Sequence, residues 1–255
     1  MTASVAAPVR TPPLAVAAVA GAWVLMAAMD AAGGAGRFGH DRLLHGSRPL
    51  VQALVWFLVG WLVMVVAMMG PAAQPAVRAH AAATAHLAHP APARAGFVGG
   101  YLLVWATFGA LLFSGDALLH ALVDESSPWI RGHGLVAGTV LVVAGLATAR
   151  PAAGRRVQAC RHGTGRLATT PGGPSVRDGF ATGRDQGMAC VACCWGLMVV
   201  MFAFAVTSLV AMGLVAALMA YERVGIRGVG VARVVGVALV AGGVAVLAER
   251  AIVVA

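Results

Sequence analysis

An all-α, polytopic transmembrane helical bundle is the fold class this chain predicts, and three observations predict it. Sixty per cent of the 255 residues are apolar and only 11% are charged, against roughly 25% charged in an ordinary soluble domain. Mean hydropathy is +0.86. Uncharged runs of spanning length recur along the whole chain, and a hydrocarbon core about 30 Å thick needs about 20 such residues in a helix.

Taken in order, residues 1–13 hold Arg10 and Pro8, Pro12 and Pro13 and predict a short disordered tail. Residues 14–250 then form a single transmembrane helical domain. Leu14–Met29 is a first apolar run, expected to be an uncleaved helix rather than a signal peptide. After a polar connector over Asp30–Pro49, Leu50–Met69 forms the second span, which Gly70 and Pro71 are expected to stop. A small-residue loop follows over 72–95, with His80, His86 and His89. Phe97–Phe113 is the third span and Leu135–Thr148 a shorter fourth. An acidic loop at Asp124-Glu125 separates them.

Arg150–Asp185 is an Arg-rich loop broken by Pro and Gly. The run Met188–Tyr221 that follows would be about 50 Å long as one helix, too long for a single crossing. It is expected to break near Val206-Thr207-Ser208 and form a hairpin. Val229–Ala248 closes a bundle of about seven spans, or six if the long run does not turn. The tail and the 70–95 and 150–185 loops hold ten arginines, against four in the connectors on the other side. The positive-inside rule places the ten in the cytoplasm, with the N-terminus. All 18 basic residues are arginine, and the net charge is +9. In a membrane protein that balance reports orientation and anionic lipid rather than nucleic acid, so the bilayer is the expected partner.

The chemistry concentrates in one stretch, GMACVACCWGLMVVMF. Three of the four cysteines, Cys190, Cys193 and Cys194, lie at C-x-x-C-C spacing and share one helix face. Soft thiolates favour Cu(I), Zn(II) or Fe–S centres, although three small apolar residues in a packed helix account equally for the pattern. The predicted topology sets them at the reducing cytoplasmic mouth of their helix, where an N-terminus favours thiolate. Met64 and Met68, four apart with Met69 beside them, end the second span at the same level. Thiolates and thioethers together make a Cu(I) environment. No phosphate loop, serine nucleophile elbow or HExxH helix is present.

Taken together, WLVMVVAMMGPAAQPAVR (Trp61–Arg78), GYLLVW (Gly100–Trp105) and GMACVACCWGLMVVMF (Gly187–Phe202) resemble a bacterial family of integral membrane proteins of unknown function, described as predicted metal-binding. The resemblance spans about 50–250 and implies a membrane location and metal binding, but no reaction. The chain departs from the family pattern at three places. Gln186-Gly187 stands where a His-Gly pair is expected. Arg156 replaces the first cysteine of a pair whose second is Cys160, beside His162, and Thr207-Ser208 replaces a Met-Asn pair.

The expected function is handling of a soft transition metal, copper first and zinc second. Cys190, Cys193 and Cys194 are its ligands, Met64, Met68 and Cys160 its contributors, and a metal donor or acceptor protein its partner. A small-solute or ion transporter using Asp116, and a metal-dependent membrane oxidoreductase, are the competing classes.

Overall fold

Among the described residues every regular element is a helix. The computed structural model describes residues 11–32, 43, 49–122, 134–150, 175–204, 208–225 and 228–254. The helices are α1 (Pro13–Ala31), α2 (Leu50–Ala83), α3 (Ala91–Leu122), α4 (Gly134–Ala149), α5 (Val176–Ala203), α6 (Leu209–Val224) and α7 (Gly228–Val254). Five of them, α1, α2, α3, α5 and α7, are long and apolar enough to cross a membrane. At 16 residues each, α4 and α6 rise only about 24 Å, short of a ~30 Å core. The seven expected spans are thus five of full length and two shorter helices. Large apolar side chains face outward from the bundle, Leu14, Leu111 and Val210 among them, as a lipid-facing surface requires.

The expected stop at Gly70-Pro71 does not occur, and the loop predicted over 72–95 is helical at both ends. α2 runs through Pro71 and Pro75 to Ala83. Proline removes the N–H that would bond the carbonyl four residues back, which for Pro71 is the carbonyl of Ala67. The indole Nε1 of Trp23, on α1, donates to that carbonyl at 3.0 Å. The freed acceptor is satisfied from a neighbouring helix, which is how membrane helices tolerate proline.

α5 starts well before Met188, the first residue of the apolar run. Ser175 and Asp178 form a capping box: the Ser175 hydroxyl accepts from the Asp178 N–H, and the Asp178 carboxylate accepts from the Ser175 N–H at 2.9 Å. Residues 176–185, expected in the Arg-rich loop, are therefore helical. The rest of that loop, 151–174, lies outside the described residues, as do the 1–10 tail and the acidic loop at Asp124-Glu125. The long apolar run does break as expected, because α5 ends at Ala203 and α6 begins at Leu209.

Register fixes the helix directions. α1 and α2 are antiparallel, with Val19 against Gly70. So are α2 and α3, through Phe57–Phe113 and Trp61–Trp105 ring contacts. α3 and α5 run parallel and nearly touch at the backbone. A Cβ on Gly179 would meet the Ala93 carbonyl, and one on Gly183 the Phe97 carbonyl; reciprocally, Gly96 and Gly100 face the carbonyls of Val176 and Phe180. Small residues at spacing four permit this approach. α4 and α7 pack antiparallel in the same manner, Gly138 against Gly243 and Gly145 against Gly236. Between α2, α3 and α5 lies a core of Phe57, Trp61, Trp105 and Phe113, joined by Met68, Met69, Met198, Met212 and Met219.

The same directions bring Arg78, Arg94, Arg177, Arg184 and Arg223 to one end of the bundle. At that end α2, α3 and α5 extend past their apolar stretches. His80 is packed inside the extension: it is buried, stacks on Phe97 at 4.7 Å, and its Nε2 lies 3.3 Å from the Ala93 carbonyl. Arg94 donates to the Thr84 hydroxyl at 3.1 Å.

Candidate metal centre

Where the apolar stretches of α2, α3 and α5 begin at the arginine-bearing end, six side chains from four helices meet. Cys190, Cys193 and Cys194 come from α5, one turn apart; Met69 from α2, Tyr101 from α3, and Arg223 from the last turn of α6. The glycine contacts put Cys190 within reach of Tyr101. With Gly183 against the Phe97 carbonyl, and a Cβ on Gly187 reaching to 3.2 Å from the Tyr101 carbonyl, the next turn of α5 aligns its cysteine with the Tyr101 side chain. The Tyr101 hydroxyl stands 3.0 Å from Cys190 Sγ.

The three sulfurs are held differently. Arg223 Nη2 donates to Cys190 Sγ at 3.3 Å and to Cys193 Sγ at 3.0 Å. Cys194 Sγ donates to the Cys190 carbonyl at 2.9 Å and lies 3.8 Å from Met69 Sδ. Cys193 Sγ also reaches the Cys190 carbonyl, at 3.1 Å. All three are thiols rather than disulfides. Cys190, Cys194, Met69 and Arg223 are buried, and Cys193 is half-buried.

Several sequence expectations shift here. The capping box at Ser175 places Cys190 mid-helix, so no helix N-terminus acts on the thiols. The positive charge comes from Arg223, 33 positions away in the chain. Met69, rather than Met64 or Met68, reaches a cysteine. Met68 is fully buried in the core beside it and Met64 is partly buried against that core. Cys160 lies outside the described residues, together with Arg156 and His162. Glu222 is buried in the last turn of α6, a helix that packs against α2. Gln186 is buried one turn before Cys190, on the same face. Asp116 pairs with His120 at 3.6 Å near the far end of α3, remote from the sulfurs.

Arg223 and Tyr101 are the site residues that sequence reasoning missed. Both lie on other helices, and their place depends on packing. One signal was present for Arg223: a charged pair, Glu222-Arg223, closes a long apolar run and precedes another.

The donor set is soft: three thiols and a thioether. Among the described residues, no three His, Cys, Asp or Glu side chains converge as they would around one ion. Structural Zn(II) takes four N or S ligands in a tetrahedron. Thiolate and thioether select Cu(I), which is stable with fewer donors.

Residues 58–246 match the profile of a protein family described as PpoB2, copper chaperone. The chain belongs to this copper-chaperone family. Neither a curated protein nor a solved structure matches it. The match covers α2 from its first turns through most of α7, and so contains every residue of the cluster just described. Family membership ties the chain to copper, and its apolar helices make it a multi-pass membrane protein. The metal-related character implied by the sequence resemblance agrees with this at the level of the family.

Proposed function

We propose that this protein carries Cu(I) as cargo on its α5 sulfur cluster, taking it from, or passing it to, a partner protein at the cytoplasmic face of a bacterial inner membrane. Cys190, Cys193 and Cys194 are the donors, with the Met69 thioether against them, and residues 14–250 act as one helical domain. The observation that carries the reading is the meeting of α2 and α5 sulfurs, 3.8 Å apart at Cys194 and Met69, in a chain of a copper-chaperone family. Burial protects the cargo from water. The position at the end of the apolar stretches keeps it near the surface, where a second protein can reach it. The excess of arginine at that end supports a cytoplasmic orientation, and the cytosol keeps the thiols reduced. Zinc is the weaker fit, since its tetrahedral sites take four ligands from Cys, His and carboxylates and the cluster offers three cysteines beside a thioether.

The decisive experiment is copper content. Detergent-purified protein, loaded anaerobically with Cu(I) and desalted, is expected to retain copper. The Cys190→Ser, Cys193→Ser, Cys194→Ser triple variant is expected to retain none while eluting as the same species. Copper retained undiminished by the triple variant would remove the sulfur cluster from the function.

A further inference from the structure

The cluster has two dissimilar halves, and their difference bears on which ion it takes. Cys190 and Cys193 both accept from Arg223 Nη2, at 3.3 and 3.0 Å. Cys194 turns to the Cys190 carbonyl and to Met69. Arg223 is buried, and a guanidinium keeps its charge in any protein environment.

We propose that Arg223 is a specificity-determining residue that makes the Cys190–Cys193 pair selective for a monovalent soft ion over a divalent one. The proposal rests on the reading of these cysteines as the cargo site. Two cysteine thiolates around Cu(I) make a complex with one net negative charge; around Zn(II) they make a neutral one. Either complex forms by release of two thiol protons to solvent, with no change of oxidation state. A fixed positive charge donating to both sulfurs stabilises the anionic complex and gives the neutral one nothing comparable. Burial strengthens the distinction, because charges interact more strongly where water is excluded.

Arginine suits the position better than lysine. It is weakly hydrated and its fork can donate in two directions at once. The Tyr101 hydroxyl, 3.0 Å from Cys190 Sγ, can add a hydrogen bond but no charge. Cys194 and Met69 form the neutral half, a thiol and a thioether adjoining the charged pair. Glu222 precedes Arg223, is also buried, and its Oε1 has no hydrogen-bond partner among the described residues. A carboxylate there works against an anionic complex, so Glu222 supplies the control of opposite sign.

The test titrates the full-length, detergent-purified protein anaerobically with Cu(I) against a competing Cu(I) chelator, and with Zn(II) against a zinc chelator. Arg223→Met is expected to weaken Cu(I) binding about ten- to hundred-fold, the range for losing hydrogen bonds from a charged donor, with Zn(II) binding little changed. Arg223→Lys falls between, and Glu222→Gln keeps or tightens Cu(I) binding. Equal losses for both metals in Arg223→Met would assign Arg223 a structural role and overturn the proposal. So would a Cu(I) loss in Glu222→Gln matching that of Arg223→Met.

A second set leaves Arg223 intact and is decisive even where its variants do not fold. Cys190→Ser and Cys193→Ser are each expected to cost more Cu(I) affinity than Cys194→Ser; an equal or larger loss at Cys194 overturns the division into halves. The triple serine variant separates the two readings. Copper kept there breaks the cargo-site reading itself. Copper lost there, but indifferent to Arg223→Met, breaks only the selectivity.

Discussion

The two sides of α3 are built on opposite rules. Toward α5 it presents Gly96 and Gly100, and the two backbones approach until a single added methyl group would strike a carbonyl. Toward α2 it presents Trp105, Phe108 and Phe113, which meet Phe57 and Trp61 ring against ring at centroid distances of 5.1 to 6.4 Å. Backbone contact admits one register and sets the height of Cys190 against Tyr101. Ring contact fills volume and can adjust by small rotations. The glycine side therefore positions chemistry, and the aromatic side supplies cohesion.

The sharpest way to break this comparison is to add bulk on the glycine side. Gly183→Val puts a branched side chain onto the Phe97 carbonyl, where only backbone could give way. Overpacking of that kind costs about 3 kcal/mol, the upper part of its usual range, and α5 would have to move away from α3. The expectation is a large loss of folded protein in detergent, and loss of Cu(I) retention in whatever remains folded. A folded Gly183→Val protein with full copper affinity would show that the α3–α5 register does not set the site.

Trp61→Phe addresses the other side. The ring is largely kept, but Nε1 no longer donates to the Trp105 carbonyl, a buried bond of 2.9 Å. Leaving a buried acceptor short of a partner costs about 1–2 kcal/mol. Stability measured by thermal or denaturant titration should fall by that amount while Cu(I) affinity stays level. Copper loss in proportion to stability would erase the distinction between the two sides.

Much of this is legible in the amino-acid sequence, and the reasons differ by feature. Apolar run lengths carry the class and the break between α5 and α6, because membrane thickness limits how much one helix can bury. The meeting of sulfurs from α2 and α5 was legible at the level of helix ends, since Met64–Met69 and the C-x-x-C-C stretch terminate apolar runs on the same side. Which methionine meets a cysteine was not, because it depends on helix rotation. The start of α5 was written in Ser175-Val176-Arg177-Asp178, an S-x-x-D capping signature, but the prolines and glycines before it and the charges after it read as loop. Arg223 depended on the fold of the hairpin itself.

Pro71 misled for a different reason, and the variant that exposes it has a smaller effect than those above. Proline ends a helix in water because the carbonyl four residues back loses its donor and its ring crowds the preceding turn. Here Trp23 supplies a donor from α1, a compensation with a sequence separation of 44 that no local pattern reveals. Trp23→Phe keeps an aromatic ring against α2 and removes only that donor. Interhelical hydrogen bonds in membranes contribute about 0.6 kcal/mol on average and up to about 1.7, so a loss of about 1 kcal/mol is expected. Because α1 packs on α2 at Gly70, next to Met69, the same variant reports whether the α1 contact extends to the metal centre. The two-sided account of α3 predicts that it does not: Met69 is held by the core it shares with Met68 and Trp105, and Cu(I) affinity should be unchanged. A drop in copper affinity larger than the drop in stability would make α1 a third support of the site, and the division of labour on α3 would no longer suffice.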